Sequence, residues 1–406
     1  MQGRTDGLGA SQADIRQLNR GLALASVARH SRITRAALAS EIGLSRPAVS
    51  RIVADLVAAG LLSESRPEPG SGPGRPTSYL SLRRDEHVFF AVDVRLEGVL
   101  IQGRDLSGAL ITESRHALVP NASPTQAARL VARQILADCA ELGRPASGVG
   151  LAVGAHLDRH NQMIIDSTYR PWTMVPLPRL IAEQLGPTGP PVVMDDVSSC
   201  AALANWQELA GDLGLSDLAH LQIGIGSGAG LVRRRQGLPL VARPPRIAHV
   251  PMRAGGPRCA CGARGCFDAV AGFPALVERS AGTGLTPTHG PRRIEVYCAE
   301  LGDLADSGHR VAQASILEMA GWFARAAAMI INIVRPSRFT YAGYPLLLGP
   351  RFHDQFVTVL SEHVEDLDAV LTATSLGDRA SVTGAYWLAV GHLMADPELT
   401  ELVKVS

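Results

Sequence analysis

Several residue types are scarce in this 406-residue chain, and each scarcity excludes a class of protein. Six cysteines are too few for a fold built on disulfides, which favours a reducing compartment. No uninterrupted apolar run reaches the length of a membrane helix, and the N-terminus lacks the charged and apolar segments of a signal peptide. Lysine occurs once, at Lys404, so arginine carries nearly all the positive charge. We expect a cytoplasmic protein with no membrane partner.

The composition is otherwise that of an ordinary globular protein, with 46% apolar residues and a formal net charge of +1. The length predicts two or three domains. Charge is distributed unevenly, because residues 1–85 contain twelve arginines against seven acidic residues, a net charge of +5, and leave −4 for the remainder. A basic N-terminal segment indicates that phosphates are bound there.

Residues 34–60 carry the signals of two short helices joined by a tight turn. Thr34 and Ser45 stand at N-cap positions, and Gly43 supplies a left-handed helix end between them. The second helix has one apolar face. Its opposite face carries small and basic residues, namely Arg46, Ser50 and Arg51. The pattern predicts a helix-turn-helix whose second helix enters the DNA major groove, and a helical protein-interaction module is the alternative.

Residues 63–82 have two strand-like ends around a tip rich in proline and glycine, the pattern of a wing. Arg75 lies at this tip between Gly74 and Pro76, which leave it steric room. It resembles the arginine that such tips insert into a narrow minor groove, where the potential is most negative.

The rest of the chain alternates strands with helices. Three apolar or alternating runs between residues 87 and 112 predict antiparallel strands, and a helix follows to about residue 142. Buried strands are predicted at residues 148–154 and 190–196, the second ending in two carboxylates before another helix. A long helical pattern at residues 309–334 precedes a further strand. This alternation predicts an α/β sheet.

Three cysteines, Cys259, Cys261 and Cys266, lie close together in the sequence, and His249 precedes them by ten residues. Three thiolates and one imidazole complete a tetrahedral zinc site, and four protein ligands leave no position for water, so the predicted zinc is structural. Two glycines between the second and third thiol give the backbone room for a tight turn. Three free buried cysteines beside a chance histidine are the alternative.

Four features together resemble the ROK family of repressors, open reading frames and kinases over nearly the whole chain. They are the winged helix with Gly74-Arg75-Pro76, the pair Asp195-Asp196, the glycine run Gly224 to Gly230, and the zinc cluster. The resemblance implies two actin-like, ribonuclease-H-like α/β lobes with a sugar site between them. It assigns residues 1–85 to a winged helix, 86–200 to the first lobe, and 201–406 to the second lobe, whose final helix packs back on the first.

The chain departs from the family's kinases at the nucleotide site. Those kinases carry a DxGGT phosphate loop, but here Asp93 is followed by Val94-Arg95-Leu96-Glu97, whose side chains occupy positions where glycine amides approach a phosphate. The paired glycines beside the adenosine appear as Ala342-Gly343-Tyr344. Of two roles for the glycine run, a structural turn is preferred to a phosphate cradle. We predict no kinase activity and no catalytic residue, although Asp196 stands where the kinase base lies.

The resemblance also implies where a sugar binds. The implied ligand residues are Asp195, Asp196, Arg246, His249 and Asp268. Arg246 replaces a family glutamate with a planar, permanently charged donor that suits a carboxylate or phosphate. An acidic sugar effector is therefore one interpretation. In a second, Arg246 pairs with Asp195 or Asp268 and closes a site that binds nothing, and in a third a neutral sugar is retained.

Three functions account for these features to different degrees. A DNA-binding regulator, commonly a repressor of carbohydrate-related genes, explains the basic winged helix and tolerates the altered nucleotide site. We expect it to bind an inverted-repeat operator as a homodimer or homotetramer, since two-fold symmetry in the protein requires it in the DNA. A ROK sugar kinase that phosphorylates a hexose or amino sugar with ATP is the alternative. An architectural protein that uses its zinc fold as a dimer platform is the third.

Overall fold

The computed structural model describes residues 12–30, 32–65, 78–95, 98–167, 170–212, 214–235, 238–242, 244–287 and 293–395. Its secondary structure is the predicted mixture, in which an N-terminal helix-turn-helix with a small sheet is followed by two larger α/β sheets. The predicted fold class is confirmed. The domain boundaries at residues 85 and 200 stay predictions.

The N-terminal part forms because local capping signals stop and start its helices. The Thr34 hydroxyl accepts a hydrogen bond from the Ala37 amide at 3.1 Å, and Gly43 ends the same helix at φ 68°. Three helices pack on a sheet of order β1-β3-β2. The bounds are α1 Gln12–Arg29, β1 Ile33–Thr34, α2 Arg35–Ile42, α3 Arg46–Ala58, β2 Leu62–Ser65 and β3 Tyr79–Leu82.

The next sheet has the order β11-β7-β4-β5-β6, with β4, β7 and β11 parallel and β4, β5 and β6 antiparallel. The sequence analysis did not predict the small sheet β10-β9-β8 or helix α5. The three strands of this sheet are only three or four residues long, and such short strands give little periodic signal. The bounds are β4 Val88–Val94, β5 Gly98–Arg104, β6 Leu110–Ala117, α4 Pro124–Leu142, β7 Ala146–Val153, β8 His156–Asp158, β9 Met163–Asp166, β10 Thr173–Val175, α5 Leu177–Leu185, β11 Val192–Asp196 and α6 Val197–Glu208.

The last sheet has the order β14-β13-β12-β15, in which β12 and β15 are parallel. The bounds are β12 Asp217–Ile223, β13 Ser227–Arg235, β14 Leu238–Val241, α7 Phe267–Ala271, α8 Phe273–Arg279, α9 Arg293–Asp306, α10 Arg310–Val334, β15 Arg338–Gly343, α11 Pro350–Ser361, α12 Leu367–Val370 and α13 Ala380–Ala395. Short 3-10 turns lie at Ile247–His249, Ala281–Thr283, Tyr344–Leu348 and Gly377–Arg379.

Helix α10 is the central core helix of the second large sheet. It is long and apolar enough to cross a membrane by composition, but 61% of its most apolar window is buried inside the protein. Met319, Phe323 and Ile330 are among its buried residues, in the same apolar cluster as strands β12 and β15. Its apolar character is therefore explained by core packing.

Helix α13 contacts both the first large sheet and the N-terminal part. It packs against β4, β7 and α6, and its Tyr386 and Val390 share an apolar cluster with Leu24 and Val27 of α1. The crossing with α6 is tight, since a Cβ on Gly384 would lie 1.7 Å from the Cys200 carbonyl oxygen. A single helix thus connects α6 with the helix-turn-helix.

Candidate functional site

The exposed face of α3 carries the side chains predicted to contact DNA. Val49, Val53 and Leu56 are buried on the inner face, while Arg46, Ser50 and Arg51 are exposed on the outer one. Neither arginine of this face forms an ion pair with any residue that the structure describes. Arg75 lies outside the described residues. Two partnerless guanidinium groups near the start of a capped helix are suited to bind phosphates or base edges.

An ion pair connects this helix to the strand that leads into the wing. Arg35 of α2 holds Glu64 of β2 through its Nε and Nη2 atoms, at 2.9 and 2.7 Å, and its Nη1 donates to the Ser50 carbonyl oxygen at 3.2 Å. The hydrogen bond to Glu64 raises the pKa of Arg35 above its usual value. The pair fixes β2 relative to α2 and α3. It joins residues far apart in the sequence, so no local sequence pattern predicts it.

The predicted metal ligands converge. The Nδ1 atom of His249 and the Sγ atoms of Cys259, Cys261 and Cys266 all lie within 4.8 Å of one another. Nδ1 of His249 is 3.7 Å from Sγ of Cys259, and the sulfurs of Cys261 and Cys266 are 3.7 Å apart. A tetrahedral zinc with sulfur bonds of about 2.3 Å places its ligands about 3.8 Å apart, so the observed spacing fits this ion.

The loop that carries the thiols depends on glycine. Gly265 has φ 70°, and a Cβ there would lie 1.7 Å from the Arg253 carbonyl oxygen. A hydrogen bond from the Ala263 amide lowers the pKa of the Cys261 thiol. Burial and the neighbouring thiols raise the pKa of Cys266 to about 12. The four residues can hold a metal ion, which requires the thiolate form.

Four of the five predicted sugar-contacting residues line one cleft, with a volume of about 1650 Å³. They are Asp196, Arg246, His249 and Asp268. The fifth, Asp195, is only 6% exposed and does not belong to the lining. The cleft also contains the glycine turn between β12 and β13 and the end of the β4–β5 hairpin.

Arg159, which the sequence analysis missed, neutralises Asp195. Its Nε and Nη2 atoms lie 2.8 and 2.6 Å from the two carboxylate oxygens, and its Nη1 donates to the Ala242 carbonyl oxygen at 2.7 Å. Burial and the adjacent Asp196 raise the pKa of Asp195 to about 7, against the opposing charge of Arg159. Only the rule that buried carboxylates need a cation could have signalled such a partner, without identifying it.

The proposed pairing of Arg246 with Asp195 or Asp268 is not what the structure shows. Arg159 holds Asp195 instead, and Asp268 accepts a hydrogen bond from the Ser227 amide at 2.8 Å. Burial raises the pKa of Asp268 to about 6. Arg246 is exposed and forms no ion pair with the described residues. Burial and the charge of Arg246 lower the pKa of His249.

The end of the cleft where kinases of the resembled family hold phosphate is occupied by Arg95. Its Nε lies 2.9 Å from Oδ2 of Asp93, and its Nη2 donates to the Asp378 carbonyl oxygen at 3.0 Å. The two residues that follow, 96 and 97, lie outside the described part of the chain. An arginine bound to the buried carboxylate of Asp93 leaves a phosphate less room than glycine amides would.

Packing explains the two glycines of the run that lie in strand β13, Gly228 and Gly230. A Cβ on Gly228 would lie 1.9 Å from the Ser198 hydroxyl, and one on Gly230 would lie 2.2 Å from the Ser198 carbonyl oxygen. Glycine is required here because α6 crosses β13 at close range, which favours the structural role. At Gly343 a Cβ would lie 1.7 Å from the Ile223 carbonyl oxygen, and Tyr344 beside it is buried.

The chain is similar to known proteins in both its N-terminal part and its α/β part. Residues 98–392 match the ROK family and residues 17–72 match the MarR family. The xylose repressor of Caldicellulosiruptor bescii is 21% identical and covers 95% of this chain and 98% of its own. The glucokinase of Streptomyces coelicolor is 26% identical, over 72% of this chain and 96% of its own.

A solved ROK family transcriptional regulator, described as a homolog of the E. coli Mlc protein, has the same fold along nearly its whole length. The TM-score is 0.78 at 18% identity, with 96% of this chain and 99% of that chain covered. The N-terminal helix-turn-helix is thus part of the shared architecture with this regulator, whereas the glucokinase spans 72% of the chain.

Proposed function

The chain belongs to the ROK family, and we propose that it is a DNA-binding transcriptional regulator that represses carbohydrate-related genes. The observation that carries the proposal is the exposed face of α3, where neither Arg46 nor Arg51 forms an ion pair with a residue that the structure describes. A repressor by name, the C. bescii protein, matches almost the full length of this chain, which supports the same function.

The proposed DNA contact places α3 in the major groove. Arg46, Ser50 and Arg51 face the base edges and phosphates, and Arg75 at the wing tip enters the minor groove. A homodimer or homotetramer places two such helices on an inverted repeat, because the symmetry of the protein is imposed on the site. A cytoplasmic location follows from this role.

Zinc is the proposed ion for His249 and the three cysteines. Sulfur and imidazole ligands with near-tetrahedral spacing suit zinc, and four protein ligands leave no open position, so the ion would stabilise the loop between the 3-10 turn Ile247–His249 and α7. Because the His249 ring also lines the cleft, the metal would hold it in place for a ligand.

A ligand signal can reach the DNA-binding helices through α6 and α13. Asp196 in the cleft is the N-cap of α6 and accepts hydrogen bonds from the Ser198 and Ser199 amides. Helix α6 packs against α13 at the tight Gly384 crossing, and α13 packs against α1. A shift of α6 would therefore move α13 relative to the N-terminal helices. Regulation of this kind requires two arrangements of these helices, with the ligand favouring one of them.

Sugar kinase activity is the second candidate, favoured by Asp196 in the cleft and by the similarity to a glucokinase. Phosphoryl transfer depends on positioned nucleotide and magnesium, and Arg95 occupies the phosphate end of the cleft. We therefore propose that the protein has no kinase activity. ATP-dependent phosphorylation of a common hexose or amino sugar would contradict this.

The test of the proposed function is a gel shift of the purified protein on DNA from upstream of its own gene, with unrelated DNA of the same length as the control. We expect a specific complex that weakens as salt rises, since phosphate contacts release counterions. Equal affinity for both DNAs, or none for either, would contradict the proposal.

A further inference from the structure

We propose that the cleft binds an anionic sugar, either a sugar acid or a sugar phosphate, whose charged group is held by Arg246. The inference deepens the proposed function, since it names the ligand class of the same regulator. It starts from how the structure distributes hydrogen-bond donors between the carboxylates and the arginines of the cleft.

The carboxylate pair is already occupied by donors of the protein. Asp195 accepts from Arg159 Nε at 2.8 Å and from the Asp196 amide at 2.8 Å, while Arg159 Nη2 lies 2.6 Å from its other oxygen. A neutral sugar is normally held by carboxylates that accept its hydroxyl protons. Here such a hydroxyl would have to displace a guanidinium that also binds the Ala242 carbonyl oxygen.

Asp196 is occupied in the same way. One of its oxygens accepts from the Ser198 and Ser199 amides at 3.0 and 3.1 Å, and the other accepts from the Ser199 hydroxyl at 2.5 Å. These bonds cap helix α6, so giving them up for a ligand hydroxyl would leave the first amides of the helix without their acceptor. Each acid of the pair therefore already accepts most of the hydrogen bonds that it can from the protein itself.

Among the arginines of the cleft, Arg246 differs from the others because its donors are not already taken by residues that the structure describes. Four of the six that line it contact a carboxylate, and Arg170 donates to the backbone carbonyls of Val119 and Arg95. The guanidinium of Arg246 alone has no hydrogen bond or ion pair to a described residue, and this side chain is exposed to the cleft. A free guanidinium offers a planar fork of donors that matches a carboxylate or phosphate.

The backbone holds Arg246 in place. Pro244 and Pro245 precede it, and the 3-10 turn that it caps is tied to α7 because the Phe267 amide donates to the Val250 carbonyl oxygen at 2.9 Å. Asp268, one residue beyond Phe267, lines the same cleft, and among the described residues only Ser227 donates hydrogen bonds to its carboxylate. Asp268 can therefore accept ligand hydroxyls, so the ligand is a polyol as well as an anion.

The experiment is a calorimetric titration of the full-length, metal-containing protein with matched sugars. D-glucose is paired with D-glucuronate and with glucose 6-phosphate, and D-galactose with D-galacturonate, while inorganic phosphate tests the anion alone. We expect at least one acidic sugar to bind tenfold or more tightly than its neutral partner and than inorganic phosphate. The carboxylate and phosphate arms distinguish a sugar acid from a sugar phosphate.

Two variants test whether the Arg246 side chain causes the preference for acidic sugars. Arg246→Ala should weaken binding of that acidic sugar by tenfold or more, whereas Arg179→Ala, on the exposed surface of α5 outside the cleft, should leave it unchanged. An unchanged thermal midpoint shows that Arg246→Ala is folded. Tighter binding of the neutral sugars, binding of the acid that survives Arg246→Ala, or binding of none of these probes would overturn the inference.

The same protein samples are tested for operator binding with no sugar present. Loss of DNA binding there would count against the proposed function, whereas intact DNA binding with no preference for acidic sugars would count against the ligand class alone. The two failures are therefore distinguishable.

Discussion

The exposed face of α3 and the cleft both carry arginines, but the arginines of the two regions differ in whether they are paired with carboxylates of the protein. On α3, Arg46 and Arg51 are exposed and have no ion pair with described residues. In the cleft, Arg95 and Arg159 are paired with buried carboxylates that belong to the protein itself. A face with free guanidinium groups can bind an external anion, whereas paired arginines have already satisfied their charge.

The difference teaches which arginines act on a ligand and which hold the fold. Arg159 compensates the burial of Asp195, because an ionised carboxylate in a protein interior needs a cation and hydrogen bonds. Arg246 resembles the α3 arginines more than its neighbours in the cleft, since it too is exposed and has no ion pair with the residues that the structure describes. The comparison therefore separates two proposed binding surfaces from one structural network.

The largest expected effect comes from removing a predicted zinc ligand, because His249 belongs both to the predicted ligand set and to the lining of the cleft. Cys261→Ser should abolish metal binding and lower the thermal midpoint strongly, because structural zinc contributes on the order of 10 kcal/mol in small zinc domains. Metal analysis and thermal melting of purified protein measure both. Cys139→Ser, at a half-buried thiol in α4, is the control that should keep its metal. A Cys261→Ser protein that retains one zinc per chain would refute the predicted ligand set.

The next effect tests the paired side of the comparison. Arg159→Ala should reduce the free energy of unfolding by about 3 to 5 kcal/mol, since it leaves the carboxylate of Asp195 buried without its cation. Arg51→Ala should change it by less than about 0.5 kcal/mol, because that side chain is exposed and no described residue forms an ion pair with it. Urea unfolding of both variants checks this, and equal losses would remove the distinction between the two kinds of arginine.

A third prediction concerns His220, a group that burial keeps uncharged. Its Nδ1 lies 3.1 Å from Asn205 Nδ2 and 2.9 Å from the Thr340 hydroxyl, and its Nε2 lies 3.1 Å from Gln222 Oε1. Burial lowers the pKa of His220 to about 4. The unfolded chain takes up a proton near pH 6.5 and the folded chain does not, so stability should fall as pH drops from about 6.5 to 4.

The expected loss over this window is about 3 kcal/mol, from 1.36 kcal/mol for each pKa unit. Unfolding measured between pH 4 and 7 should therefore slope less steeply in His220→Asn than in the wild type. His363→Asn, at an exposed site, should keep the wild-type slope. Parallel slopes for all three proteins would contradict a neutral His220.

Local features of the fold could be predicted from the sequence, and long-range ones could not. Thr34, Gly43 and Ser45 act within a few residues of themselves, so their capping roles follow from residue type. The predicted zinc ligands Cys259, Cys261 and Cys266 are likewise close in sequence. The pairing of Arg159 with Asp195 spans 36 residues and has no local pattern, so only the folded chain shows it. For the same reason, a pairing of Arg246 with Asp195 or Asp268 stood among the three interpretations of the cleft that the sequence left open.

The central claim is that the unpaired arginines of α3 bind DNA, and affinity for the operator as a function of salt tests it most directly. Arg46→Ala and Arg51→Ala should each weaken binding by tenfold or more at fixed salt, for a contact of about 1 to 3 kcal/mol, and a lost phosphate contact should also make the salt dependence shallower. Arg179→Ala, an equally exposed arginine outside the winged helix, should bind as the wild type does. Wild-type affinity and salt dependence in both α3 variants would contradict the account.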